Sequence, residues 1–148
     1  MDLDFASEPS LTTGQRAGQL GPALFSNRKV LGEYVSGVVT VTTHTATSDK
    51  ATVQRFVDAI VKAERYLAGH PDRAVAVAHE EFPTVNVDVL TAAIGHMEDE
   101  GVWSTDGKFG DAGVRTAAGI AAATASLDAT KIDAKASIIT SFVDHAPH

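Results

Sequence analysis

The sequence contains no cysteine, which excludes disulfide bonds and thiolate metal sites. It also has no apolar run of about 18 residues, the length that a membrane-spanning helix needs. Glycine-rich phosphate-binding patterns are missing, since neither GxGxxG nor GxxxxGK[ST] occurs. Basic residues are few: 12 Lys and Arg stand against 19 Asp and Glu, and the formal net charge is −7. This charge argues against non-specific binding to nucleic acid, and we predict no nucleic-acid partner.

The N-terminus, MDLDFASEPS, has neither the basic region nor the apolar segment of a secretory signal peptide. From this we expect the chain as written to stay in the cytoplasm. Its 148 residues fit one domain by length. The hydrophobic content of 44% and the charged content of 21% are ordinary for a soluble globular protein.

Three short segments have the residue pattern of β-strands. They are residues 2–6 (DLDFA), residues 29–31 and residues 34–43 (YVSGVVTVTT). The third is the clearest, because β-branched residues dominate it and its side chains alternate between two faces. Val35, Gly37, Val39 and Val41 fall on one face, and Ser36, Val38, Thr40 and Thr42 fall on the other. We therefore predict a strand over residues 34–43.

Helical spacing of apolar residues dominates the rest of the chain. It predicts helices over residues 50–68, 71–82 and 86–100, a fourth that begins at Asp111, and a short one over residues 9–18. The inward stripe of the longest helix consists of Val53, Phe56, Val57, Ile60, Ala63 and Leu67. We expect Phe56 and Ile60 to be its deepest residues.

Catalytic and metal-binding patterns are weak. His145 and His148 have a spacing that suits one helical face, but no third ligand lies near them in the sequence. The acidic pairs Glu80-Glu81 and Asp99-Glu100 are sequence neighbours, so their side chains point to different parts of a helix surface. We predict no catalytic residue, no metal site and no cofactor, and hence no enzymatic activity.

Two segments carry a family resemblance. Residues 56–75 read FVDAIVKAERYLAGHPDRAV and residues 99–109 read DEGVWSTDGKF. Together with their surroundings they resemble the C-terminal third of the solute-binding proteins of ABC importers, in the branch that binds nitrate, sulfonates, taurine, aromatic acids or thiamine precursors. The resemblance implies an α/β chain: a mostly helical C-terminal portion of the type II periplasmic-binding-protein fold, with few strands and an incomplete sheet. Residues 1–28 would be a remnant of the second lobe and the hinge crossing, and residues 29–148 the C-terminal part of the first lobe.

The resemblance also implies a function. A complete protein of this family closes two lobes around a small organic or inorganic anion and delivers it to an importer's permease, in the periplasm or another extracytoplasmic space. In the family a cleft strand ends in a pattern that DLDFASEPS matches at Asp4, Ala6, Glu8 and Pro9. Ser7 and Glu8 would then lie at the cleft wall, and Tyr34 near the hinge. The plain alternatives are that Glu8-Pro9 only ends a strand and that Tyr34 packs.

Other interpretations remain open at this point. One alternative is that the chain is an inactive truncated remnant, and another is that it is a stand-alone helical interaction module. Related enzymes of thiamine-precursor synthesis use a His-rich or Cys-containing segment that this sequence lacks. If the strand at residues 34–43 has no sheet partners within the chain, its open edge favours self-association or pairing with a separate N-terminal lobe.

Overall fold

The computed structural model describes residues 3–125, 128, 131, 133 and 138–147. Within these residues the chain forms helices joined by loops, and no strand is present. The helices in chain order are α1 (Ser10–Arg16), α2 (Asn27–Leu31), α3 (Thr43–Ser48), α4 (Lys50–Gly69), α5 (Pro71–Glu81), α6 (Val87–Asp99), α7 (Asp111–Ala125) and α8 (Ser141–Asp144). The chain divides into two compact units, Met1–Ser26 with Tyr66–Trp103, and Asn27–Arg65 with Ser104–His148.

The first unit is organised around α6. This helix begins where the Asn86 side chain accepts a hydrogen bond from the Asp88 N–H, 2.8 Å away, and ends before Gly101, whose φ of +60° suits glycine. Helices α1 and α5 pack against it. Its buried residues are Val89, Leu90, Ala93 and Ile94, and Ala74 of α5 is buried too. The spacing of apolar residues in the sequence predicts an inner face of Leu90, Ala93, Ile94 and Met97; the first three are buried and Met97 is half-buried.

The second unit contains α2, α3, most of α4, α7 and α8. Its buried apolar residues are Ala46, Val53, Val61, Ala122 and Ala146. The Gln54 side chain of α4 donates a hydrogen bond to the backbone carbonyl of Phe142 in α8, at 2.8 Å. Among the described residues most of these buried side chains are small, so each contributes little buried apolar area.

The predicted strands are not found. Residues 29–31 lie inside α2, and residues 34–42 have no regular secondary structure, while Thr43 already begins α3. Residues 3–6 are also irregular, and Asp2 lies outside the described part. A strand needs a neighbour for its backbone hydrogen bonds, and the described residues supply none. The mostly helical character is therefore confirmed, whereas the strands on which the α/β class depended are absent from the described residues.

The predicted depth of residues in α4 is also wrong. Phe56 and Ile60 are 52% and 38% exposed, whereas Val53 and Val61 are 6% and 1% exposed. The helix buries a face on which Val53, Val57 and Val61 succeed one another at intervals of four residues, and Val57 is half-buried. The neighbouring face, with the larger side chains, stays in solvent.

Candidate functional site

Glu8, a predicted ligand contact, is held on both of its oxygens in the first unit. One oxygen accepts the backbone N–H of Thr12 at 3.2 Å, which satisfies a free donor in the first turn of α1. The other lies 2.9 Å from Nδ1 of His96 on α6. The Glu8 side chain is only 9% exposed. These contacts give Glu8 a role in joining α1 to α6, and an incoming ligand would have to compete with them.

Ser7 lies next to Glu8 and is exposed. Its backbone carbonyl accepts the N–H of Leu11 at 2.9 Å, as the chain enters α1. Beside this segment is an open groove of about 610 Å³, lined by Asp4, Ala6, Pro9, Ser10, Thr13, Gly14, Gln19, Leu20 and Val85. Asp4 is the charged member of the lining, and no Lys, Arg or His belongs to it. The charge of this groove therefore does not favour an anion.

Tyr34, the third predicted contact, belongs to the second unit. It is 37% exposed and begins the irregular segment that leads to α3. A second open groove of about 620 Å³ lies in this unit, lined by Thr43, Ala46, Thr47, Lys50, Ala51, Gln54, Ile139, Ser141, Phe142 and His145. Lys50 gives this groove a positive charge, but Tyr34 is not part of its lining.

The second unit also brings two carboxylates together from distant parts of the sequence. Burial raises the pKa of Glu64, on α4, above its ordinary value, and the nearby negative charge of Asp106 raises it further. One Glu64 carboxylate oxygen is buried without a hydrogen-bond partner. The backbone amide of Gly107 opposes these effects more weakly.

Asp106 has the opposite shift, because its own loop supplies donors. The N–H of Lys108 donates to its carboxylate at 2.9 Å, and the Ser104 hydroxyl donates at 3.1 Å. These hydrogen bonds, with charge contributions from Lys108 and Arg65, hold the pKa of Asp106 below its ordinary value. Two carboxyls with diverging pKa values resemble an acid/base pair, but a structural ion network has the same signature.

Gly107 lets the loop of residues 104–110 approach α4 closely. Its φ is +73°, and a Cβ built on it would lie 2.7 Å from Cγ2 of Val61. Arg65 donates to the backbone carbonyls of Thr105 and Pro147. Lys108 pairs with Asp144 at 3.1 Å, and the hydrogen bond and the charge of Lys108 hold the pKa of Asp144 below its ordinary value. The two carboxylates therefore belong to a network that fastens this loop to its own unit.

Sequence reasoning missed this network because Glu64 and Asp106 are far apart in the chain. In the sequence, Asp106-Gly107 is a turn signal, but it gives no indication that Asp106 lies near Glu64. Within the described residues, no group of three or more His, Asp or Glu side chains is placed to hold a metal ion. His148, of the predicted histidine pair, lies outside these residues. None of the described helices combines the length and the apolar character needed to cross a membrane.

No family model, no curated protein and no solved structure matches this chain. The likeness to solute-binding proteins therefore depends on the residue patterns alone.

Proposed function

We propose that this chain is one part of a two-lobed solute-binding protein that captures a small organic or inorganic anion, such as a sulfonate or nitrate, for an ABC importer. In the complete protein, Ser7, Glu8 and Tyr34 contact the ligand or form part of the cleft wall. The chain carries out no chemistry on the ligand, and its partner is the importer's permease.

The two segments that carry the resemblance support this proposal. The segment at residues 56–75 that resembles the family forms most of α4, a break at His70 and the start of α5, where Pro71 is the first helical residue. The segment at residues 99–109 forms the turn-rich connection between α6 and α7. Both resembling segments thus lie at junctions of helices, where turn residues are needed for local structure.

The observation that carries the proposal is the lack of regular secondary structure in residues 34–42. These residues have the strongest strand pattern in the sequence, yet they form no ladder within the described residues. Val38, Val39 and Val41 are exposed. A strand of this composition is stable only when neighbouring strands pair with it and a layer covers it. The family's sheet would supply those neighbours from the rest of the first lobe.

The test is to express the chain joined to the coding region that precedes it in its genome. Calorimetric titration of the joined protein with nitrate, taurine and an alkyl sulfonate should show one site for one of these ligands. Tyr34→Ala should weaken that binding by about tenfold, which corresponds to roughly 1.4 kcal/mol. Tyr66→Ala is the matched control, because Tyr66 is exposed and stacks on His70 within the first unit.

Two results would overturn the proposal. One is a preceding region that does not encode the remaining lobes. The other is a joined, cooperatively folded protein that binds none of the anions. The alternative, a stand-alone helical interaction module, predicts a stable monomer with a smooth polar surface.

A further inference from the structure

Residues 34–42 form an irregular segment of the second unit that pairs with no strand among the described residues. The backbone passes through these nine residues without a helix, a turn or a bend. From Tyr34 to Val41 no backbone N–H or C=O group is hydrogen-bonded to any described residue. Val38 and Val39 are 56% and 51% exposed. A row of free backbone groups beside β-branched side chains is a template for pairing with another strand.

Both ends of the segment are held in place. At its start the Glu33 carboxylate accepts the backbone N–H of Gly110 at 2.6 Å. At its end the Thr42 hydroxyl accepts the N–H of Thr45 at 3.1 Å and caps α3. Because the ends are already ordered, pairing along the middle costs less conformational entropy than it would for a free tail.

We propose that residues 34–42 pair with the same residues of a second copy of the chain, antiparallel and centred on Val38. The inference concerns the chain as it stands and does not depend on anion capture. In the complete solute-binding protein the same segment would instead join the sheet of the first lobe.

The sequence of the segment is complementary to itself in this register. Antiparallel pairing about Val38 sets Val35 opposite Val41 and Gly37 opposite Val39 on one face. On the other face it sets Ser36 opposite Thr40, Val38 opposite itself and Tyr34 opposite Thr42. β-Branched pairs and hydroxyl pairs are among the favourable cross-strand neighbours. A two-fold axis at Val38 therefore pairs the side chains on both faces of the segment.

Charge also favours a second copy in this orientation. Residues 34–43 contain no charged side chain, although the whole chain carries a net charge of −7. The neutral segment is thus a place where two copies can approach without direct repulsion. In the antiparallel register Glu33 lies opposite Thr43, whereas parallel in-register pairing would set Glu33 against Glu33.

The location of the interface is tested first. Sedimentation velocity across a concentration series should show a monomer–dimer equilibrium for the wild-type chain. Val39→Lys should raise the dimer dissociation constant by about tenfold or more, because it places a charge within the paired strands. Val77→Lys is the matched control, since Val77 is 56% exposed, close to the 51% of Val39, but lies on α5 in the other unit. It should leave the dissociation constant unchanged.

The register is tested with two double variants. Ser36→Lys with Thr40→Glu sets Lys opposite Glu in the antiparallel dimer and should still dimerise. Ser36→Lys with Thr40→Lys sets like charges opposite and should dissociate the dimer, with a dissociation constant about tenfold or more higher. Circular dichroism should show the same helical content in both, because the substituted residues are exposed.

Each remaining outcome overturns the proposal. A wild-type chain that stays monomeric at every concentration removes the interface. A Val77→Lys variant that dissociates the dimer as much as Val39→Lys moves the interface elsewhere. If the two double variants dissociate equally, the antiparallel register centred on Val38 is wrong.

Discussion

Oε1 of Glu8 lies 2.9 Å from Nδ1 of His96, and this contact joins the segment before α1 to the last turn of α6. The same carboxylate accepts the N–H of Thr12 in the first turn of α1. The Glu8 side chain thus accepts a hydrogen bond from the first turn of α1 and also contacts α6, so it holds these two helices of the first unit together.

We predict that Glu8→Ala lowers the free energy of unfolding by about 1 kcal/mol, because it removes a helix-start acceptor and the partner of His96. Urea unfolding followed by circular dichroism measures this change. Glu80→Ala is the control, since Glu80 is exposed on α5, and it should change the free energy far less. Equal effects of the two substitutions would show that the Glu8 contacts contribute nothing.

In α4, the loss of unfolding free energy on replacing a side chain with alanine should depend on how buried that side chain is, and not on its size. Val61→Ala removes two buried methyl groups and should cost about 2 kcal/mol of unfolding free energy. Phe56→Ala should cost less than about 1 kcal/mol, because the ring is mostly in solvent. Denaturant unfolding of both variants under one condition gives the comparison. A larger loss for Phe56→Ala would mean that the buried face of α4 has been misassigned.

Gly107→Ala should destabilise the second unit by about 1–2 kcal/mol, since φ is +73° and the new methyl group would collide with Val61. Gly95→Ala provides the contrast. Gly95 lies within α6 with nothing within 4 Å of its added Cβ, so alanine there should stabilise the chain by about 0.5–1 kcal/mol. Melting temperatures of the two variants should therefore move in opposite directions.

Glu64 gives a pH-dependent prediction. Burial raises its pKa in the folded chain, so its contribution to stability is full below its ordinary pKa and is lost as the pH rises through the folded value. Glu64→Gln should therefore be more stable than the wild type at pH 7, by less than about 1 kcal/mol because the group is partly solvated. Unfolding measured from pH 4 to pH 7 should show this difference growing with pH.

Asp106 has the opposite sign. Its pKa is lowered in the folded chain, so its contribution is present above its ordinary pKa and is lost as the pH falls through the folded value. Asp106→Asn should therefore lose less stability than the wild type as the pH falls, and because Asp106 also raises the pKa of Glu64, the same substitution should lower that pKa. If the Glu64→Gln advantage is the same at both ends of the pH range, the carboxylate charge is not its cause.

The chain by itself should bind small anions weakly or not at all. The groove beside Ser7 carries the negative Asp4 and no cationic side chain, and both grooves are open to solvent. Binding sites normally bury most of a small ligand. Calorimetric titration with nitrate, taurine and pyrimidine precursors should show no micromolar site. A micromolar dissociation constant for the monomer would contradict this prediction.

Local sequence determined the longer helices α4, α5 and α6 and the start of α7, but not α2 or α3. The spacing of apolar residues predicted α4, α5 and α6 nearly to their ends. These signals act within a few residues of one another, so they can be read along the chain.

Tertiary structure decided what depends on distant residues. A strand exists only where another strand accepts its hydrogen bonds, so the pattern of residues 34–42 was not sufficient to make one. Which face of α4 is buried depended on its neighbours, and this selected Val61 instead of Phe56. The approach of Asp106 to Glu64, and of His96 to Glu8, likewise depends on packing between segments far apart in sequence.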